Sequence, residues 1–169
     1  REDGHVMDDG TTARLGEAHF LMTTTTAAAG AVMRHLEFVH QCLRPELDVR
    51  FTSVTEQWAQ FAVSGPQSRD LLNALLAIQL TDADWTFMAC GSVSVAGVDG
   101  RLFRISFSGE HAYELAVPAR YGASLFEALV AAAEARGGGA YGMEALNVLR
   151  IEKGHITHAE IHGATTAFD

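Results

Sequence analysis

A chain of 169 residues, 48% hydrophobic and 20% charged, is long enough for one domain or two small ones with a real core, and its balance excludes disorder. The formal net charge of −9, with 12 basic residues scattered rather than striped, argues against nucleic acid as a main partner. There is no apolar run of about 18 residues to cross a membrane. Cys42 and Cys90 lie far apart and outside any metal-type spacing. They read as small packed thiols suited to a reducing compartment, the cytoplasm.

The first residues, Arg1-Glu2-Asp3-Gly4-His5, lack an initiator Met and do not resemble a signal peptide. The last, Ala164-Thr165-Thr166-Ala167-Phe168-Asp169, carry no helix cap or stop signal. Both ends read as cut, so the chain is expected to be a piece of a longer protein. Asp8-Asp9-Gly10 is a hairpin turn signal between strands at 6–7 and 11–15, and a further strand at 19–23 completes a β-meander. The run Thr23-Thr24-Thr25-Thr26 follows, read as a structured loop with exposed hydroxyls and helix N–H groups. Ala28, Val32, Leu36, Val39 and Leu43 recur at helical spacing, which predicts a helix over 27–43 with Thr26 as N-cap and Pro45 ending it.

Strands are predicted at 48–55 and 58–63. Ser64-Gly65-Pro66 then turns into a helix at 67–76; the Gly spacing and Lys of a phosphate-binding loop are missing. The polar stretch Asp82-Ala83-Asp84-Trp85 suggests a sub-boundary near 80–90 within a domain that otherwise covers 1–169. Strands at 92–96 and 101–107 follow, joined by Gly97-Val98-Asp99-Gly100, and then a strand at 112–117. Pro118 opens a helix to about residue 136, which Gly137-Gly138-Gly139 ends. A last helix over 142–152 stops at Gly154. Interleaved strands, hairpins and helices give an α+β fold class with mostly antiparallel sheets and packed helices.

The segment Ser106-Phe107-Ser108-Gly109-Glu110-His111-Ala112-Tyr113-Glu114-Leu115 reads as a hairpin. Strand alternation puts Tyr113, Leu115 and Val117 on a core face and Ala112, Glu114 and Ala116 on the other. Glu114 thus stands between small side chains. One reading is a solvated strand carboxylate; the other is a carboxylate at the edge of a flat group lying against the sheet, accepting two parallel hydrogen bonds. Phe107, across the hairpin, would then supply an apolar wall, and Gly109 permits the tight turn.

His155, His158 and His162 with Glu160 have zinc-like spacing, but Gly154, Gly163 and Thr157 favour a polar loop, so no metal is expected. Asp8 with Asp9 is read as turn chemistry rather than a metal or acid/base pair, and Lys153 with Glu152 as a surface pair. Arg150 pairs either with a carboxylate near the site or in a structural ion pair. No catalytic triad or dinucleotide fingerprint stands out, and no residue is assigned an acid/base role.

Phe107-Ser108-Gly109-Glu110-His111-Ala112-Tyr113-Glu114-Leu115 resembles the Tyr-Thr-Gly-Glu-x-x-(Phe/Tyr)-Glu segment of the glycine-cleavage T-protein (aminomethyltransferase) superfamily. Three further segments resemble a narrower branch, the α subunits of heterotetrameric sarcosine oxidases. They are Met7 to Gly16, His19 to Thr26, and Ser53 to Ala59 followed by Val63-Ser64-Gly65-Pro66; Glu144-Ala145-Leu146 leading to Leu149-Arg150-Ile151-Glu152-Lys153-Gly154 agrees. The resemblance implies a folate-binding domain in which Glu114 holds the pterin of tetrahydrofolate and Phe107 lines the pocket. It implies that Tyr113 shapes that pocket, that Leu115 and Ala116 offer backbone contacts, and that Thr24 and Thr25 contribute from the loop before the first helix. It further implies other sarcosine oxidase subunits as partners, with FAD, FMN and NAD bound only elsewhere in the parent complex and this piece inactive alone.

Two departures bear on chemistry. Ala29 or Gly30 stands where T-proteins place a catalytic Asp, and Leu146-Asn147 where they have Arg-Asp. Both favour capture of a one-carbon unit made at a flavin, as 5,10-methylenetetrahydrofolate. The alternatives are a stand-alone folate-dependent aminomethyltransferase or demethylase, and a non-catalytic folate-binding module.

Overall fold

The computed structural model describes residues 1–168, and the chain divides into two units: Arg1–Ser53 with the residues from Ile156 onward, and Val54–His155. The breaks thus fall near 53 and 155; the expected sub-boundary at 80–90 lies inside the second unit. There the polar residues close a turn, with the Thr81 hydroxyl bonded to the Asp84 carboxylate at 2.7 Å.

In the first unit, β1 (Thr12–Arg14) pairs antiparallel with β2 (Phe20–Met22), Ala13 facing Leu21. The expected strand at 6–7 and its Asp8-Asp9-Gly10 turn do not form. Asp8 instead accepts the Thr25 N–H at 2.8 Å and the Thr25 hydroxyl at 2.9 Å, so a charged acceptor fixes the threonine loop. Helix α1 (Ala29–Phe38) continues into a π-helical turn, Val39–Leu43. Its N-cap is Ala28 rather than Thr26. The Ala28 N–H reaches the Thr25 carbonyl at 3.1 Å, which does the work expected of Thr26. No strand forms over 48–55. Asp48 and Arg50 pair with each other at 2.7 Å and stay exposed, so the segment has no buried stripe to hold against a neighbour.

The second unit holds a four-stranded, wholly antiparallel sheet in the order β3-β6-β5-β4: β3 is Trp58–Ser64, β4 Cys90–Val95, β5 Val98–Phe103 and β6 Ala112–Pro118. One face carries Val63, Val93, Leu102, Tyr113, Leu115 and Val117. It forms the core with Leu71 and Leu72 of α2 (Ser68–Asn73) and Leu125 and Leu129 of α3 (Gly122–Glu134). Burying these side chains removes roughly 1.5–3 kcal/mol of apolar exposure each. Every buried hydrophobic side chain among the described residues lies between Val63 and Leu129, hence in this unit.

The β4–β5 turn differs from the expected Gly97–Gly100 connection. Ala96 and Gly97 alone make it, both at positive φ (49° and 81°), and residues 98–100 join the strand. A two-residue turn of this hand matches the strands' twist. Helix α3 ends at Gly137 (φ 76°), and α4 (Met143–Lys153) at Gly154 (φ 86°), both left-handed glycine stops as the sequence predicts. Cys42 is exposed rather than packed. Among the described residues no helix is long and apolar enough to cross a membrane.

Candidate functional site

β6 is a central strand, flanked by β3 and β5, and its register sets Glu114 opposite Ala62 on one side and Phe103 on the other. Directly opposed residues share a face. Gln60, Ala62, Ser64, Arg101, Phe103, Ala112, Glu114 and Ala116 therefore occupy the face opposite the one packed by α2 and α3. Gln60 and Ala62 are exposed and Glu114 is half-buried. The Gln60 side-chain amide donates to Oε2 of Glu114. Burial pushes the Glu114 carboxyl above the usual glutamate range, and the Gln60 bond partly offsets this. One carboxylate oxygen is thus tied to Gln60, and the small Ala62 faces Glu114 from β3.

Gln60 also lines a groove of about 470 Å³ that follows β3 to α3, bordered by Ala62, Ser64, Phe126, Leu129 and Tyr141. The Ser64 and Tyr141 hydroxyls meet there at 3.2 Å. Sequence alone did not single out Gln60. Its signal was the alternation Trp58, Gln60, Ala62 that marks the strand, but only the β3–β6 register says which carboxylate it meets.

The other expected site residues take different places. Phe107 is not across from Glu114; β5 ends at Phe103, which holds that position. Phe107 lies in the following loop, half-buried, its ring stacked on His155 at 5.4 Å and its carbonyl 3.0 Å from His155 Nδ1. Tyr113 is fully buried on the helix face, so it supports Glu114 from beneath the sheet and cannot line a pocket on the other side. Leu115 and Ala116 have strand partners on both sides, Phe61 and Leu102, then Gln60 and Arg101. The two ladders use the backbone groups expected to meet a ligand. Thr24 and Thr25 belong to the first unit; Thr25 is held by Asp8, and the Thr24 hydroxyl donates to the Thr25 carbonyl at 3.0 Å.

His155 stands just beyond α4, and residues 158 and 162 fall in turns, so the three histidines share no helical face. No cluster of three metal-type ligands occurs among the described residues. Arg150 is buried and donates to the His155 carbonyl at 3.2 Å. Lys153 is exposed, with its aliphatic stem against Gly109.

The Gly65-Pro66 turn has a different role from anion binding. Gly65 N–H and the Ser68 hydroxyl both donate to the His111 carbonyl, at 2.8 and 2.9 Å. Ser68 Oγ also lies 2.9 Å from His111 Nδ1, Arg69 lies 3.2 Å from Nε2, and Arg69 pairs with Asp82 at 2.6 Å. Burial first, then the nearby Arg104 and Arg69 charges, hold the imidazole below its ordinary pKa, with Asp82 opposing. Buried and committed to the main chain, Ser68 is a brace for the start of β6 and not a nucleophile.

An antiparallel sheet with helices on one face and a half-buried carboxylate on the other defines an α+β domain. The chain belongs to the GCVT N-terminal domain family, which it matches over residues 1–169. It is 55% identical over its whole length to sarcosine oxidase subunit alpha of Rhizobium meliloti (strain 1021), of which it covers 17%. It is 46% identical over 92% of its length to the subunit of that name from Corynebacterium sp. (strain U-96), covering 16%. It is also 32% identical over 93% of its length to the aminomethyltransferase of Mycobacterium bovis (strain ATCC BAA-935 / AF2122/97), covering 40%. The chain thus spans about one-sixth of the sarcosine oxidase subunits it resembles.

Proposed function

We propose that this chain is the tetrahydrofolate-binding part of a sarcosine oxidase α subunit, and that it positions folate to capture the one-carbon unit from oxidative demethylation of sarcosine. The observation that carries this is the Glu114 carboxylate, half-buried on the sheet face away from α2 and α3 and steadied by Gln60 beside Ala62. A pterin presents a ring N–H beside an exocyclic amine. The Glu114 carboxylate is an acceptor suited to that pair, and the small Ala62 faces it from β3, so the residues present fit the group.

Bound tetrahydrofolate would supply the two nitrogens that take up the carbon as 5,10-methylenetetrahydrofolate. The chain's own residues orient and desolvate. Glu114 fixes the ring edge, Gln60 fixes Glu114, and Tyr113 anchors the strand from the core. The first turn of α1, which includes Gly30, has no acidic residue. This supports capture of a carbon unit made at a partner site over amine transfer catalysed here. The flavin chemistry and the other oxidase subunits belong to the parent assembly in this reading.

Calorimetric titration of the full-length polypeptide in its native assembly with tetrahydrofolate tests it. Glu114→Gln keeps the shape and removes the charge. Charged hydrogen bonds contribute about 1.5–3 kcal/mol, so affinity should fall about 10- to 100-fold. An unchanged affinity overturns the assignment of Glu114.

A further inference from the structure

Five arginines are buried or half-buried: Arg69, Arg101, Arg104, Arg136 and Arg150. Four have acceptors. Arg69 pairs with Asp82, Arg104 donates to the Ala112 carbonyl, Arg136 to the Ala132 carbonyl, and Arg150 to the His155 carbonyl. Arg101 alone has no hydrogen-bond acceptor or ion-pair partner among the described residues. What it has is a seat: its guanidinium carbon lies 4.0 Å from the centroid of the Trp58 ring, the shortest such contact among the described residues. Stacking uses the flat face of the guanidinium. It leaves the in-plane N–H groups, the ones that grip a carboxylate two at a time, unspent. Burial lowers the Arg101 pKa with no carboxylate acting against it. The side chain remains a cation, and none of its nitrogens is among the buried, unsatisfied polar atoms, unlike Nε of Arg69, Arg104 and Arg150.

We infer that Arg101, seated on Trp58, is the docking point for the carboxylate of an organic ligand held on the same sheet face as Glu114. Arg101 lies opposite Ala116, two residues along β6 from Glu114, and is thus its diagonal neighbour. Diagonal neighbours across an antiparallel pair are about 7–8 Å apart. The two strand positions are therefore close enough for one bound molecule to meet both side chains. The partner is a carboxylate rather than a phosphate. A planar carboxylate matches the flat guanidinium edge and brings one negative charge per group toward nearby Glu114, whereas a phosphate group brings nearly two. Two carboxylates meet this description: the glutamyl tail of folate, and a small amino acid such as the glycine left when sarcosine loses its methyl group. The inference rests on the folate reading for which carboxylate is bound, not for the existence of the grip.

The test is titration of the full-length polypeptide in its native assembly with three probes: tetrahydrofolate, a tetrahydropterin without the p-aminobenzoylglutamate tail, and glycine. Arg101→Gln should weaken one carboxylate-bearing probe about 10- to 100-fold. Loss for tetrahydrofolate with the tail-less pterin unchanged assigns Arg101 to the glutamyl carboxylate. Loss for glycine with both pterins unchanged assigns it to the amino acid. Unchanged affinity for all three overturns the inference, as does an equal loss for the tail-less pterin, which would make Arg101 a prop for the sheet. Arg101→Lys keeps the charge and stem if the Gln variant misfolds, and it should fall between Gln and wild type; wild-type affinity there overturns the bidentate grip. Exposed Arg120→Gln should change nothing. Glu114→Gln should weaken both pterins and spare glycine. Failure of the pterin assignment is thereby read separately from failure at Arg101.

Discussion

At the scale of single residues, the site depends on a carboxylate that burial disfavours and one side-chain amide supports. The folded Glu114 carboxyl binds its proton more tightly than in the unfolded chain. Its contribution to stability is therefore full below the unfolded pKa and is lost as pH rises through the folded, raised pKa. Glu114→Gln cannot ionise, so its melting temperature relative to wild type should climb from acid to neutral pH. A pH-independent difference in paired thermal melts would contradict the burial. Glu114 was legible as a candidate because alternation places it between Ala112 and Ala116 and because its segment resembles one that holds a pterin. Gln60 and Arg101 were not, because a side chain's partner on the next strand is set by register and is invisible to local spacing.

At the scale of elements, two backbone positions carry the sheet. Ala96 occupies the left-handed region at φ 49°, followed by Gly97 at 81°. Asn tolerates that conformation better than Ala, so Ala96→Asn should stabilise the β4–β5 hairpin by about 1 kcal/mol in chemical denaturation. Gly100 faces the core on β5, and a methyl group there would meet the Ala116 carbonyl at 2.7 Å. Because that oxygen is backbone in a central strand, Gly100→Ala should cost about 1–3 kcal/mol, while Arg101 and Glu114 move apart in register. Helix stops at Gly137 and Gly154 were readable because positive φ after a helix selects glycine. The strand expected over 48–55 was not, since β-propensity means little without a neighbour to bury one face.

At the scale of the whole molecule, the buried hydrophobic residues lie within the unit Val54–His155, and the unit built on Arg1–Ser53 holds none among the described residues. Native-state hydrogen exchange should therefore find its slowest amides in β6 and its neighbours β3 and β5, and much faster exchange in β1, β2 and α1. Equal protection in the two units would show that burial within each does not set local stability.

The sequence by itself determined the element types of the second unit, the glycine stops, the α+β class, the family segments and the carboxylate worth watching. The element types, the glycine stops and the fold class follow from local periodicity and backbone chemistry, which neighbouring residues along the chain decide; the family segments and the choice of Glu114 rest on the resemblance. Tertiary structure alone decided that Phe103 and not Phe107 stands beside Glu114, that Tyr113 lies beneath the sheet, that the backbone at Leu115 and Ala116 is already paired, and that Gln60 and the Arg101–Trp58 stack share the face of Glu114. Each of these is a relation between strands distant in sequence, fixed by ladder register and by which face the helices cover.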